Sequence, residues 1–176
     1  MPRFPIFLLL LPAIACSDEP EPSAPSHPAG PQFTMGEGTT PTPLGRANFA
    51  DPDGKALKIK RMEGDFRVDV KAAPSLDIAV QRITFAVGGH SGWHRHPGPV
   101  FIQVLSGEMT FYEADDPLCE PIVRDVGQGY LDLGEHGHIA RNEGDVPAEN
   151  LVVYLAPPAP APLRIDVTPA PGNCPF

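Results

Sequence analysis

The residues best placed to do chemistry lie in Gly92-Trp93-His94-Arg95-His96, where two imidazoles stand one residue apart. On an extended strand, side chains alternate between faces, so His94 and His96 point one way and Arg95 the other. Two imidazoles side by side form half of a transition-metal site. A bare His-x-His pair is common, so the surrounding chain decides what it means. Gln103 and Tyr112 are the other polar side chains near this element, candidates for lining a pocket around the pair. Alternation turns Gln103 away from the histidines unless a bulge intervenes. Arg82, Arg95 and Arg141 are candidates for an anion partner. No nucleophile motif, phosphate loop or zinc-finger spacing accompanies them.

To hold such a pair the chain must supply strands. Leu57–Arg61, Phe66–Val70 and Leu76–Phe85 are β-prone, and the second of these alternates apolar with polar residues as a half-buried strand does. A glycine-rich stretch, Val87–Gly92, reads as a turn into the histidine pair. Val100–Leu105 and Met109–Tyr112 flank a Ser-Gly-Glu turn. Pro121–Val126, Gly129–Leu133, His138–Arg141 and Leu151–Leu155 follow, with Gly, Asp and Pro between them. No segment holds a 3.6-residue period over three turns. Short strands at this spacing predict an all-β sandwich or barrel.

With 176 residues there is room for one domain plus a tail or linker. Proline is in excess, 24 of 176, and it clusters at residues 12–43 and 157–175. The net charge of −9 argues against nucleic acid as a partner, which calls for a basic surface. Arg3 precedes a short apolar run ending in Ala13-Ile14-Ala15-Cys16, the architecture of a secretory signal over residues 1–15. The run is too short to span a bilayer. The same four residues resemble a bacterial lipobox, in which Cys16 is lipidated and becomes the new N-terminus; plain cleavage after Ala15 is the alternative. The expected location is therefore the bacterial periplasm or cell envelope, with the membrane engaged only through an N-terminal lipid. Residues 16–46 carry almost no large apolar side chain and read as a Pro-rich disordered linker. The domain is expected over 47–176, with a Pro-rich C-terminal tail. Cys119 and Cys174 form an even pair after export, which predicts a disulfide tying that tail to the barrel.

Gly92-x-His94-x-His96, followed by Pro97-Gly98-Pro99, a β-run and Gly107, resembles the first motif of the cupin superfamily. Gly134-Glu-His136-Gly-His138-Ile-Ala-Arg-Asn142 resembles the second, with His138 and Asn142 in its His-x-x-x-Asn relation. The resemblance covers about residues 75–156 and implies a double-stranded β-helix, a jelly-roll barrel. It also implies that His94, His96 and His138 converge on one divalent transition metal (Fe, Zn, Ni, Mn or Cu), with His136 as a further candidate ligand. Asn142 is implied as a hydrogen-bonding residue behind His138. The family's glutamate ligand is missing, because Val100 stands in its place. A three-histidine site then carries one negative charge fewer and favours an anionic small molecule. Two functions fit this resemblance: a metal-dependent enzyme of the oxygenase or isomerase type, or a non-catalytic ligand-binding or structural module with a vestigial site. Pairing of barrels into a homodimer is a further expectation.

Overall fold

The computed structural model describes residues 36–56, 58–63, 66–72 and 74–176. The signal segment, Cys16 and the linker up to residue 35 lie outside the described residues. Every ordered element among those described is a strand. They are β1 (Glu37–Ala50), β2 (Lys58–Glu63), β3 (Phe66–Lys71), β4 (Ser75–His90), β5 (His94–Arg95), β6 (Val100–Ser106), β7 (Met109–Glu113), β8 (Ile122–Arg124), β9 (Gly129–Asp132), β10 (His138–Arg141), β11 (Ala148–Ala156) and β12 (Ile165–Asp166). All pairings are antiparallel. One sheet runs β12-β5-β10-β4-β11-β6-β9, with β7 between β10 and β8 and with β1 on β4, while β2 and β3 form a separate hairpin. Curled on itself, the large sheet makes a nearly closed barrel, one of the two all-β forms the strand pattern predicted and the jelly roll the resemblance implied.

Alternation explains which side chains fill it. In β6, Val100, Ile102 and Val104 are buried while Phe101 and Gln103 face out. In β11 the even-numbered residues from Ala148 to Ala156 are buried and the odd ones are partly exposed. Val100, Ile102, Val104, Ala148, Val152 and Tyr154 join Phe85, Met109, Phe111 and Tyr130 in the main core. Phe111 and Tyr130 stack with ring centroids 4.1 Å apart. The turn between β6 and β7 needs Gly107: its φ is +70°, and a Cβ there would lie 2.8 Å from the Ala148 backbone.

Two expectations need correcting. Residues 37–46, assigned to the linker, belong to β1, which pairs with β4 from Glu37↔His90 to Ala50↔Ser75. The composition misled because an edge strand needs no apolar face. Apart from the half-buried Thr39, β1 is exposed along its whole length and takes its order from the ladder. Pro41 and Pro43 are tolerated there because an edge strand leaves one row of N–H groups without a ladder partner. The glycine-rich stretch after Val87, read as a turn, continues β4 to His90.

The C-terminal tail wraps back over the barrel. Cys119 and Cys174 are disulfide-bonded, with Cα atoms 5.3 Å apart. Cys174 packs with Trp93, Tyr112 and Ile139 in a second, smaller core. Asn173 donates to the Glu113 and Asp116 carbonyls at 2.8 and 2.6 Å. Arg141 lies over the Phe176 ring at 3.9 Å. Farther up the tail, β12 pairs with β5, so the tail borders the histidine pair directly.

Candidate metal centre

His94, His96 and His138 come together, all three buried, with ligand atoms within 4.8 Å of one another. β5 carries His94, and His138 opens β10 directly opposite it in the ladder. His96 follows on the same face, while Arg95 between them is exposed. Ring centroids are 4.8 Å apart for His94 and His96, 4.4 Å for His94 and His138, and 5.3 Å for His96 and His138.

In two of the three rings the backbone holds Nδ1. His94 Nδ1 lies 2.8 Å from the Gly92 carbonyl, and His96 Nδ1 lies 2.6 Å from the Leu163 carbonyl. A carbonyl only accepts, so each Nδ1 carries the proton and each Nε2 keeps its lone pair. Burial, more than any neighbouring charge, holds all three imidazoles below the usual histidine range. His138 is pushed down to about 3. The rings are therefore neutral at neutral pH, which is the ligating form. Three neutral nitrogens in a buried pocket fit a divalent transition metal, with coordination positions left for water or a small molecule.

His94 and His96 open onto a cleft of about 490 Å³. Its walls include Gln81 and Ile83 of β4, Tyr154 of β11, and Leu163, Arg164 and Asp166 of the tail. The Tyr154 ring meets that of His96 edge-on at 5.3 Å. Its hydroxyl donates to Gln81 Oε1 at 3.3 Å, and burial pushes its pKa up to about 12. Arg164 is the cation of the cleft, with its Nε 2.6 Å from Asp166 Oδ1. Ser91 ties the approach to the site: its Oγ accepts from the Ala140 N–H at 2.9 Å and donates to the Gly92 carbonyl at 3.0 Å.

Other sequence candidates lie elsewhere. His136 is exposed in the turn before β10, where strand alternation does not apply, and its Nδ1 lies 3.1 Å from Asp115. Gln103 faces outward from β6, as alternation requires. Tyr112 belongs to the second core, with its hydroxyl donating to Glu143 at 2.8 Å. Burial first, then that hydrogen bond, pushes its pKa to about 12. Asn142 is a structural hub at 1% exposure. Its Nδ2 donates to the Phe85, Ala86 and Val146 carbonyls, and its Oδ1 accepts from Gly144. Of the three arginine candidates, Arg82 pairs with Glu149 and Arg141 with Glu143, and none lines the cleft.

Sequence reasoning missed Tyr154, Arg164 and Asp132. Tyr154 shares its face with Asn150 and Val152, but apolar residues on both faces of β11 hid that signal. Arg164 sits in proline-rich tail with no periodicity to place it. Asp132 is 5% exposed at the end of β9, between Leu131 and Leu133, which both face out, an inversion of the usual pattern. Its Oδ1 accepts from the Gly134 N–H at 2.8 Å. Gly134, with φ at +87°, lets this turn close on the loop after His96; a Cβ there would lie 2.8 Å from the Gly98 carbonyl oxygen. Burial raises the Asp132 carboxyl, although the Gly134 N–H and nearby His96 oppose this.

Residues 81–154 match the family model described as "Cupin domain". None of the curated proteins matches the chain. Among solved structures, the chain is similar to the Cupin_2 domain of an XRE-family transcriptional regulator from Enterobacter cloacae, at 18% identity over 69% of this chain and 99% of that one, with a TM-score of 0.43. It is similar to a conserved protein with a double-stranded β-helix domain from Klebsiella pneumoniae, at 17% identity over 66% and 88%, TM-score 0.43. It is also similar to the polyketide cyclase RemF from Streptomyces resistomycificus, at 14% identity over 81% and 83%, TM-score 0.49. The family model runs from within β4 to within β11, takes in all three histidines, and identifies residues 81–154 as a cupin domain.

Proposed function

We propose that this cupin is an exported metalloprotein whose three-histidine centre works on a small anionic molecule. One observation carries the reading: three neutral imidazoles from two adjacent strands converge under an open cleft, two of them with their tautomers fixed by backbone carbonyls. A bound divalent metal would supply Lewis-acid or redox chemistry at the cleft floor. The chain's own residues would bind and orient. Arg164 offers a guanidinium to a carboxylate or similar group, Tyr154 offers a protonated hydroxyl, and Ile83, Phe85 and Leu163 keep water from the apolar part of the ligand. An oxygenase-type reaction suits this division better than an isomerase-type one, because isomerisation calls for a base. Among the described residues, the cleft's acid–base groups other than the histidines are Tyr154, held protonated, and Asp166, tied to Arg164.

That same scarcity of proton-transfer groups favours, as a second reading, a non-catalytic module that binds its ligand through the metal. Oxygen uptake separates the two readings. Fe(II)-loaded protein offered a panel of small carboxylates consumes dioxygen under the first and only binds under the second. In either case metal-stripped protein takes up one equivalent of Co(II) with visible absorption bands, and Arg164→Ala weakens malonate binding without altering Co(II) uptake. Absence of Co(II) bands in the wild type defeats both readings.

Export, with Cys16 lipidated, keeps the domain at the cell envelope in this proposal, supported by the Arg3-to-Cys16 pattern. Cys16→Ala then shifts the protein from the membrane to the soluble fraction, and an unchanged partition counts against the anchor. Homodimerisation is proposed through the outer face of β6 and β9, where Phe101 and Leu131 are each 50% exposed. Phe101→Glu should convert a dimer to a monomer in sedimentation.

A further inference from the structure

Two buried polar atoms near the triad lack a hydrogen-bond partner among the described residues: Asp132 Oδ2 and His138 Nδ1. They face each other at 3.7 Å, with side chains 6% and 1% exposed. Leaving two such groups unsatisfied is costly, and buried polar atoms in folded proteins are nearly always paired. His94 and His96 each give Nδ1 to a carbonyl, so His138 alone lacks a group to fix its tautomer. Asp132 lies directly across the ladder from Val100, the position where the family's glutamate would stand. Asp132 Oδ2 is also 3.9 Å from His96 Nε2, which puts its charge beside two of the three ligands.

We infer that Asp132 is the carboxylate of this centre, moved one strand across from Val100 and acting through His138. The inference rests on the three-histidine metal reading above. Asp132 is a positioning residue. Its Oδ2 accepts the His138 Nδ1 proton once a sub-ångström movement closes the 3.7 Å gap, leaving Nε2 for the metal and making the imidazole a stronger donor. Its negative charge also offsets part of the metal's, replacing what Val100 withholds.

The test is Zn²⁺ affinity of metal-stripped protein, measured by competition with a chelator, for wild type, Asp132→Asn and Asp132→Ala. Asn keeps an acceptor but removes the charge, so its Kd rises roughly 10-fold, and Ala approaches the upper end of the roughly 10- to 100-fold range for such partners. Stoichiometry stays at one metal in both, because the three imidazoles remain. Proton NMR of the Zn²⁺-loaded wild type is the second measurement and needs no variant. A His138 Nδ1–H resonance far downfield and slow to exchange supports the inference, as a purely structural aspartate would not produce it. Wild type that binds Zn²⁺ while Asp132→Asn keeps the same Kd overturns the inference and leaves the three-histidine centre standing. Loss of the His138 Nδ1–H signal on Zn²⁺ binding overturns it too, since that nitrogen would then be the ligand. Wild type that binds no Zn²⁺ overturns both.

Discussion

Breaking the Cys119–Cys174 bond should both loosen the fold and disturb the centre. The bridge closes a separation of 55 residues, and the chain-entropy model makes such a loop worth roughly 4 kcal/mol. For a domain of this size that corresponds to a fall of about 12 °C in Tm. The local consequence is as important as the global one. The same tail supplies the Leu163 carbonyl that orients His96, the Arg164 guanidinium, and β12 against β5. A Cys119→Ala/Cys174→Ala double variant, followed by circular dichroism and by Co(II) titration, should melt lower and bind Co(II) more weakly. Melting within a degree or two of wild type would show that the Asn173 hydrogen bonds and the Arg141–Phe176 contact hold the tail without the bridge. Unchanged Co(II) affinity in a destabilised variant would refute the link between tail and site.

Asn142→Ala removes the side chain that joins Phe85, Ala86, Gly144 and Val146 in a buried network; at about 1 kcal/mol for each bond, less some repair, the loss is on the order of 3 kcal/mol, readable as a lower urea midpoint. Glu113 offers a pH test. Burial raises its carboxyl above the usual range, against the opposing hydrogen bond from Tyr130. Its folded pKa therefore exceeds its unfolded one, and the stabilisation is present below the unfolded value of 4.5 and lost as pH rises through the folded value. Glu113→Gln keeps an acceptor for Tyr130, so thermal melts should show it gaining on wild type at neutral pH and losing that gain at about pH 4; an equal difference at both would contradict the reasoning.

Much of the barrel was legible because alternation and turn residues are local signals. Val100, Ile102 and Val104 announce their face in the sequence, and the His-x-His spacing announces two histidines that share one face. β1 was hidden because its order comes from hydrogen bonding to β4 and from Arg46 donating to the Pro157 and Ala161 carbonyls, which leaves no trace in composition. His136 shows the limit of spacing arguments, since two residues before a strand begins the alternation rule has no force. The cleft walls were least legible. The Leu163 carbonyl reaches His96 from 67 residues away in the chain, and Arg164 joins the cleft wall next to it, both brought there by the tail's return path. Asp132 was masked by exposed leucines on either side, a local inversion that makes sense only once its neighbours in the fold are known.

The central claim is that His94, His96 and His138 hold a metal ion. Elemental analysis of natively purified protein tests it most directly, repeated on His94→Ala and His138→Ala. The account predicts about one transition-metal ion per wild-type chain and near-complete loss in either variant; a metal-free wild type, or variants that retain the same content, would contradict it.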